Sequence, residues 1–236
     1  MELKDSVALV TGAGRGIGRA VAVALAHEGS RVGLMGLTAS HLAAVEREVR
    51  EAGGTAYSLP GDVSDEGSVS RCVAAAEQHL GPIDVLVNNA GVYAHGSVDR
   101  LDALVFDHTL AVNLRGPFLM ARAVLPGMKS RRRGHVVNVA STAALRGFAG
   151  GAAYCASKFG LAGLSQAMLQ EARAFDVRVT CLLPSTVATD MARRGDFLKD
   201  PAKAIRPEDV AEAILGLLKL DARVLPVSLE LWQTNP

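Results

Sequence analysis

Short apolar runs bounded by Gly, Pro or Asp alternate along the chain with longer segments whose apolar positions recur every three to four residues. The short runs Val7–Thr11, Arg31–Met35, Thr55–Leu59, Val85–Asn88, His135–Ala140, Arg178–Leu183 and Val224–Leu229 predict seven strands. The longer segments Ile17–Glu28, Ala39–Ala52, Glu66–His79, Leu101–Lys129, Ala152–Ala174 and Pro207–Leu218 predict helices, the fourth of them broken or preceded by a loop. Strands that are nearly continuous in apolar character are buried on both faces. Their alternation with helices therefore predicts an α/β, doubly wound fold, a three-layer sandwich with a seven-stranded parallel sheet in the middle. The start of the last helix is well marked. Pro207 stands where a missing N–H is harmless, and Glu208 and Asp209 meet the positive helix end.

The 236 residues show no internal repeat, low-complexity tract or linker, which predicts a single domain over residues 1–236. One stretch breaks the pattern. Thr189 to Arg206 is polar and charge-rich, contains Gly195 and Pro201, and exceeds an ordinary connection, so a mobile substrate lid is expected there. With 25 basic and 24 acidic residues the net charge is +1, leaving no field to attract nucleic acid or an anionic membrane. A small-molecule partner is expected instead. Arg131, Arg132 and Arg133 close the predicted long helix, where cations complement the carbonyl end. Cys72, Cys155 and Cys181 are odd in number and lack CxxC spacing, which disfavours a disulfide framework and fits a reducing cytoplasm. No apolar stretch reaches the roughly 18 residues of a membrane-spanning helix, and Met1 to Asp5 leads directly into the first strand, so a soluble, unexported protein is expected. The six histidines show no metal-ligand spacing, so no metal site is expected. Cys155 has no motif-placed histidine and is expected to pack, without a covalent intermediate.

The candidate chemistry begins after the first strand, where Thr11-Gly-Ala-Gly-Arg-Gly-Ile-Gly18 runs straight into an amphipathic helix. Glycines permit the tight turn and close backbone approach, and the helix N-terminus adds unsatisfied donors, so a pyrophosphate fits there. The spacing is Gly12-x-x-x-Gly16-x-Gly18 and not the commoner G-x-G-x-x-G, which leaves a merely tight turn as the other reading. Gly61-Asp62-Val63 and Asn88-Asn-Ala-Gly91 follow the third and fourth strands at the ligand edge of such a sheet. Asp62 can accept from an adenine amino group, or it can form an Asx turn.

Tyr154 and Lys158 are separated by four residues at the start of a helical segment and share one helix face. A neighbouring ammonium favours a phenolate, so Lys158 is expected to lower the pKa of Tyr154 toward the useful range. Ser141 lies thirteen residues earlier, at the end of the fifth strand, where its hydroxyl can orient a substrate oxygen or cap a turn.

Together these motifs resemble the short-chain dehydrogenase/reductase family from about Ser6 to Leu220 in order and spacing. The resemblance implies a Rossmann fold and a nicotinamide cofactor held by Gly12, Gly14, Arg15, Gly16, Ile17, Gly18, Gly36, Thr38, Asp62, Val63, Asn89, Ala90, Gly91, Tyr154, Lys158, Pro184, Ser185, Val187 and Thr189. It implies a catalytic set of Asn113, Ser141, Tyr154 and Lys158. In that set Ser141 bonds the carbonyl, Tyr154 donates the proton, Lys158 binds the nicotinamide ribose, and Asn113 supports a relay water. Gly36 stands where an NAD enzyme carries an acidic residue. With Arg15 and Thr38 nearby, NADP(H) is preferred and NAD(H) remains possible. Two departures stand out. Ser185 replaces the usual glycine after Pro184, and the ending Leu229 to Pro236 lacks the glycine-rich tail of most 3-oxoacyl carrier-protein reductases, looking more like the small NADP-dependent 3-hydroxy acid dehydrogenases. The basic residues Arg193, Arg194, Lys199 and Lys203 of the lid suggest a 3-oxoacyl or 3-hydroxy acid substrate, or they are merely solvated. Family members usually pair long helices, so a homodimer or homotetramer is expected. The competing functional class is a non-catalytic dinucleotide sensor or scaffold on the same fold.

Overall fold

The computed structural model describes residues 1–195, 197–198 and 200–234; Lys199 of the basic lid and the final Asn235 and Pro236 lie outside the described residues. In chain order the elements are β1 (Val7–Thr11), α1 (Gly16–His27), β2 (Arg31–Gly36), α2 (Ala39–Glu51), β3 (Thr55–Pro60), α3 (Glu66–Leu80) and β4 (Val85–Asn88). There follow α4 (Ala103–Leu110), α5 (Gly116–Arg131), β5 (Gly134–Val139), α6 (Ala152–Ala172), β6 (Val177–Pro184), α7 (Asp190–Arg194), α8 (Pro207–Lys219) and β7 (Ser228–Leu231). Among the described residues seven strands form one parallel sheet in the order β3-β2-β1-β4-β5-β6-β7. This is the doubly wound Rossmann arrangement. The order reverses between β1 and β4, which opens a crevice above their carboxyl ends.

Alternation within β1 shows why the strands read as unbroken apolar runs. Ala8 and Val10 pack with Leu25 of α1 and Ile214 of α8 on one face of the sheet. Val7 and Leu9 pack with Met120 of α5 and Met168 of α6 on the other. Both faces are covered, so both side-chain sets are buried.

Three boundaries differ from the sequence reading. The segment predicted as Leu101–Lys129 is two α-helices joined by a π turn at Ala111–Arg115. Pro117 has no N–H to donate four residues back to Asn113, so the α-helical ladder loosens at that point. The last strand lies at Ser228–Leu231 rather than Val224–Leu229. Pro226 interrupts the apolar run and offers only its carbonyl, which accepts from the Thr180 hydroxyl at 2.6 Å. Ser141 does not end β5, which stops at Val139; it caps a short 3-10 turn, Thr142–Ala144, by accepting from the Ala143 N–H. The arginines at the end of α5 find partners on neighbouring segments rather than on the helix carbonyls. Arg131 donates to the Ile83 carbonyl, and Arg132 and Arg133 pair with Asp176 and Asp84.

Candidate active site

One cleft of about 770 Å³ runs along the carboxyl edge of the sheet, from the glycine turn to Tyr154. At the turn, Gly12 and Gly16 take positive φ values of 64° and 54°, which side-chain-bearing residues rarely adopt. The turn is tied to β4 across the reversal point. The Thr11 hydroxyl accepts from the N–H groups of Asn89 and Ala90, both at 3.0 Å, and the Asn89 amide donates to the Thr11 and Gly12 carbonyls at 2.9 and 3.3 Å.

Gly12, Gly14, Arg15, Gly16 and Ile17 line the cleft, and so do Asn89, Ala90 and Gly91. Gly18 does not. A Cβ at that position would fall 2.2 Å from the Gly12 carbonyl oxygen, so this glycine lets α1 approach the turn from beneath and does not face a ligand. Arg15 precedes α1 without a side-chain cap, leaving the first amides of the helix for an anion. These features fit a pyrophosphate.

Gly36, Thr38, Asp62 and Val63 line the next portion. Gly36 leaves the end of β2 without a carboxylate, and the Thr38 hydroxyl makes no cap bond to α2. Of the two readings of Asp62 the structure shows the Asx turn. Its Oδ1 accepts from the Ser64 amide and hydroxyl at 2.8 and 2.7 Å, an Asx turn, while Oδ2 has no protein partner among the described residues. Leu37, His41 and Leu42 line this end too, and sequence reasoning missed them. The available signal was helical spacing, because His41 and Leu42 stand three and four residues after Thr38.

At the far end Ser141, Tyr154 and Lys158 all line the cleft, joined by Pro184, Ser185, Val187 and Thr189. The Lys158 ammonium is buried, donates to the Val139 carbonyl at 2.9 Å, and lies 5.6 Å from the centre of the Tyr154 ring. Burial pushes the Tyr154 phenol up to about 12, and the Ser141 hydroxyl opposes that only in part. Burial pulls Lys158 down to about 8. The expectation that Lys158 lowers the Tyr154 pKa is therefore corrected for the chain alone: its ammonium is engaged by Val139, and desolvation dominates the phenol. At neutral pH the site presents a protonated phenol beside an ammonium.

Asn113 is brought near but does not line the cleft. It is fully buried, with Oδ1 accepting from the Val92 N–H and its amide donating to the Val92 carbonyl and the Ser157 hydroxyl. It fastens the π turn to the loop after β4 and to α6.

The segment expected to form a lid begins at Thr189, whose hydroxyl accepts from the Ala192 N–H and caps α7, a helix the sequence pattern did not predict. Neither Arg193 nor Arg194 reaches the cleft wall. Arg193 is held by Asp190 at 3.1 Å, and Asp190 also stands 3.8 Å from Arg15.

The family model for short chain dehydrogenase matches residues 6–196. The chain is similar to 2-(S)-hydroxypropyl-CoM dehydrogenase 3 of Xanthobacter autotrophicus, 36% identical over 230 residues that cover 92% of this chain and 90% of the relative. It is similar also to D-threitol dehydrogenase of Mycolicibacterium smegmatis, 38% identical over 224 residues, covering 91% and 86% respectively. Among solved structures it resembles a metagenomic short-chain oxidoreductase in complex with NADP, with a TM-score of 0.88, 35% identity and full coverage of both chains. With the glycine turn, the crevice and the Ser-Tyr-Lys cluster at its end, the chain belongs to the short-chain dehydrogenase family of oxidoreductases.

Proposed function

We propose that this chain is a single-domain, NADP(H)-dependent oxidoreductase that reduces a carbonyl compound, or oxidises the matching secondary alcohol, with Tyr154 as the general acid/base. The observation that carries the reading is the convergence of Ser141, Tyr154 and Lys158 at one end of a cleft whose other end is the glycine turn. A bound dinucleotide supplies or accepts the hydride. The remaining chemistry belongs to the chain. In the reductive direction Ser141 donates a hydrogen bond to the carbonyl oxygen, and the Tyr154 phenol, protonated at neutral pH, gives its proton to that oxygen as charge develops. The Lys158 ammonium holds a positive charge beside the phenolate so formed. Asn113 fixes the loop that carries Val92 against α6 and thereby positions the wall opposite Tyr154.

Preference for NADP(H) over NAD(H) is supported by the glycine at the end of β2, where a carboxylate would repel a 2′-phosphate, and by the exposed Arg15 guanidinium on the cleft. Asp190 competes for Arg15, which makes the preference moderate. Assembly into a homodimer or homotetramer is supported by the exposed Phe159 of α6 and by a groove lined by Leu110, Leu114, Leu164 and the exposed Phe118 of α5. Three buried, free cysteines fit a reducing cytoplasm. Among the described residues no helix is long and apolar enough to cross a membrane.

The test is NADPH and NADH oxidation, followed by ultraviolet absorbance, over a panel of ketones, aldehydes and 3-oxoacyl thioesters. Turnover that is faster with NADPH and lowered ~10²-fold or more in Tyr154→Phe supports the reading. Binding of NADPH without turnover of any carbonyl would make the chain a dinucleotide sensor instead.

A further inference from the structure

The substrate end of the cleft is walled by aromatic rings that come from three separate loops. Tyr93 follows β4, Phe148 precedes α6, and Phe197 belongs to the lid, and all three line the same space as Tyr154. Their contacts are edge to face. Ring centres lie 5.3 Å apart for Tyr93 and Tyr154, 4.8 Å for Tyr93 and Phe197, and 5.6 Å for Phe148 and Phe197.

Glycines hold these rings in place. A Cβ at Gly195 would fall 2.5 Å from the Phe197 ring and 3.1 Å from the Tyr93 ring, so a side chain there would displace the rings from their present packing. A Cβ at Gly151 would fall 2.5 Å from the Phe148 ring, and one at Gly150 would fall 2.1 Å from the His95 ring. Gly96 donates to the Gly150 carbonyl at 2.9 Å, joining the loop of Tyr93 to the loop of Phe148. The Tyr93 hydroxyl meets His95 Nδ1 at 3.2 Å, which fixes the ring by its polar edge. The clasp is thus organised before a ligand arrives.

Of the cations read from the sequence that lie among the described residues, Arg193 is paired with Asp190, and Arg194 and Lys203 are off the cleft wall. The charged Arg146, which also lines the cleft, is exposed. Aromatic rings in edge-to-face arrays favour another flat ring, because ring edges are positive and ring faces negative. A carboxylate placed among the rings is desolvated, and the buried Lys158 ammonium that lines the cleft is already bonded to the Val139 carbonyl.

We infer that the Tyr93–Phe148–Phe197 clasp selects an uncharged carbonyl compound with an aromatic ring next to the carbonyl, an alkyl aryl ketone or its alcohol. This rests on the oxidoreductase reading for its chemistry. The ketone carbon takes a hydride, and with it two electrons, from the reduced dinucleotide, which leaves oxidised. The C=O π pair moves to oxygen, oxygen takes the Tyr154 proton, and water later restores the phenol.

The experiment compares acetophenone, cyclohexyl methyl ketone and 3-oxohexanoate with NADPH, in the natural chain and in Phe197→Ala and Phe197→Leu. Trp232, the single tryptophan, lines the cleft, so its fluorescence reports ligand binding independently of turnover. Acetophenone should exceed 3-oxohexanoate in kcat/KM by about tenfold or more, and Phe197→Ala should lower the acetophenone value about tenfold, mainly through KM. Phe197→Leu keeps apolar bulk and should lose most of the same preference, which separates loss of the ring from collapse of the lid. Better use of 3-oxohexanoate, equal use of the two methyl ketones, or no effect of either variant overturns the clasp and leaves the oxidoreductase reading standing. No turnover of any ketone, with acetophenone still quenching Trp232 and binding weaker in Phe197→Ala, overturns the oxidoreductase reading and leaves the clasp. Neither turnover nor acetophenone binding overturns both.

Discussion

His135 predicts how this protein loses stability in acid. It lies on β5 opposite Arg178 of β6 and is fully buried. Its Nε2 is 2.8 Å from the Thr180 hydroxyl, which spends its own proton on the Pro226 carbonyl. The hydroxyl must therefore accept, so the histidine is neutral with its proton on Nε2. Nδ1 has no partner among the described residues, and a second ring proton would be buried without an acceptor. Burial is the largest influence, followed by the Arg178 guanidinium and the N-terminal ammonium, and together they push His135 down to about 3. In the unfolded chain it titrates near 6.5. Because the folded pKa is the lower one, this stabilisation is complete above about pH 6.5 and is lost progressively as pH falls toward 3, where the unfolded chain takes a proton that the folded chain refuses. The whole interval corresponds to roughly 5 kcal/mol, and the part between about pH 6.5 and 4 to roughly 3 kcal/mol. Such a loss is a large share of the ~5–15 kcal/mol net stability of a typical protein. His135→Gln keeps an amide donor for Thr180 and cannot titrate. It should be less stable at pH 7.5, by ~1–3 kcal/mol, yet lose roughly 3 kcal/mol less than the natural chain on going to pH 4. Urea unfolding at a series of pH values measures both quantities. Parallel pH dependence in the two proteins would refute the assignment of acid sensitivity to this histidine.

Tyr154→Phe should lower kcat by ~10²-fold or more with unchanged circular dichroism and NADPH binding, and near-normal turnover would remove Tyr154 from the mechanism. Lys158, pulled down to about 8, should make reductive kcat/KM fall as pH rises through that value, and a profile flat from pH 7 to 9 would show that its charge is not needed. Gly18→Ala sets a methyl group 2.2 Å from the Gly12 oxygen, so NADPH should bind more weakly by about tenfold or more and lose its stabilising effect on Tm; normal affinity would contradict the close approach. Arg15→Ala should raise KM for NADPH much more than for NADH, and Gly36→Asp should shift preference toward NADH, whereas equal effects on both cofactors would sever these residues from the 2′-phosphate.

What could be read from the chain was whatever one segment determines by itself. Positive φ at Gly12 and Gly16, the four-residue step from Tyr154 to Lys158, and the apolar runs of β1 to β6 are local demands, and each left a local pattern. β7 was misplaced because it is an edge strand with alternating, half-exposed residues, and Pro226 obscures its start. The π turn was legible only in part: Pro117 forbids one helical bond, but no spacing shows that Asn113 turns inward to Val92 and Ser157.

Other features arise only when distant segments meet. Tyr93, Phe148 and Phe197 have no common periodicity, and the glycines that seat them look in the sequence like ordinary loop glycines. The Tyr154 and Lys158 pKa shifts belong to the same class. Helical spacing establishes that the two side chains are neighbours, but the direction of each shift depends on how much water the surrounding walls remove, and those walls come from β5, β6 and the lid. The segment after Val187 rests on the glycine turn, with the Thr189 methyl 3.3 Å from where a Gly16 Cβ would stand and Asp190 near Arg15. A change in the turn is therefore transmitted to the segment that carries Phe197, whose ring packs on Tyr93 beside Tyr154, and the two ends of the cleft are linked by packing.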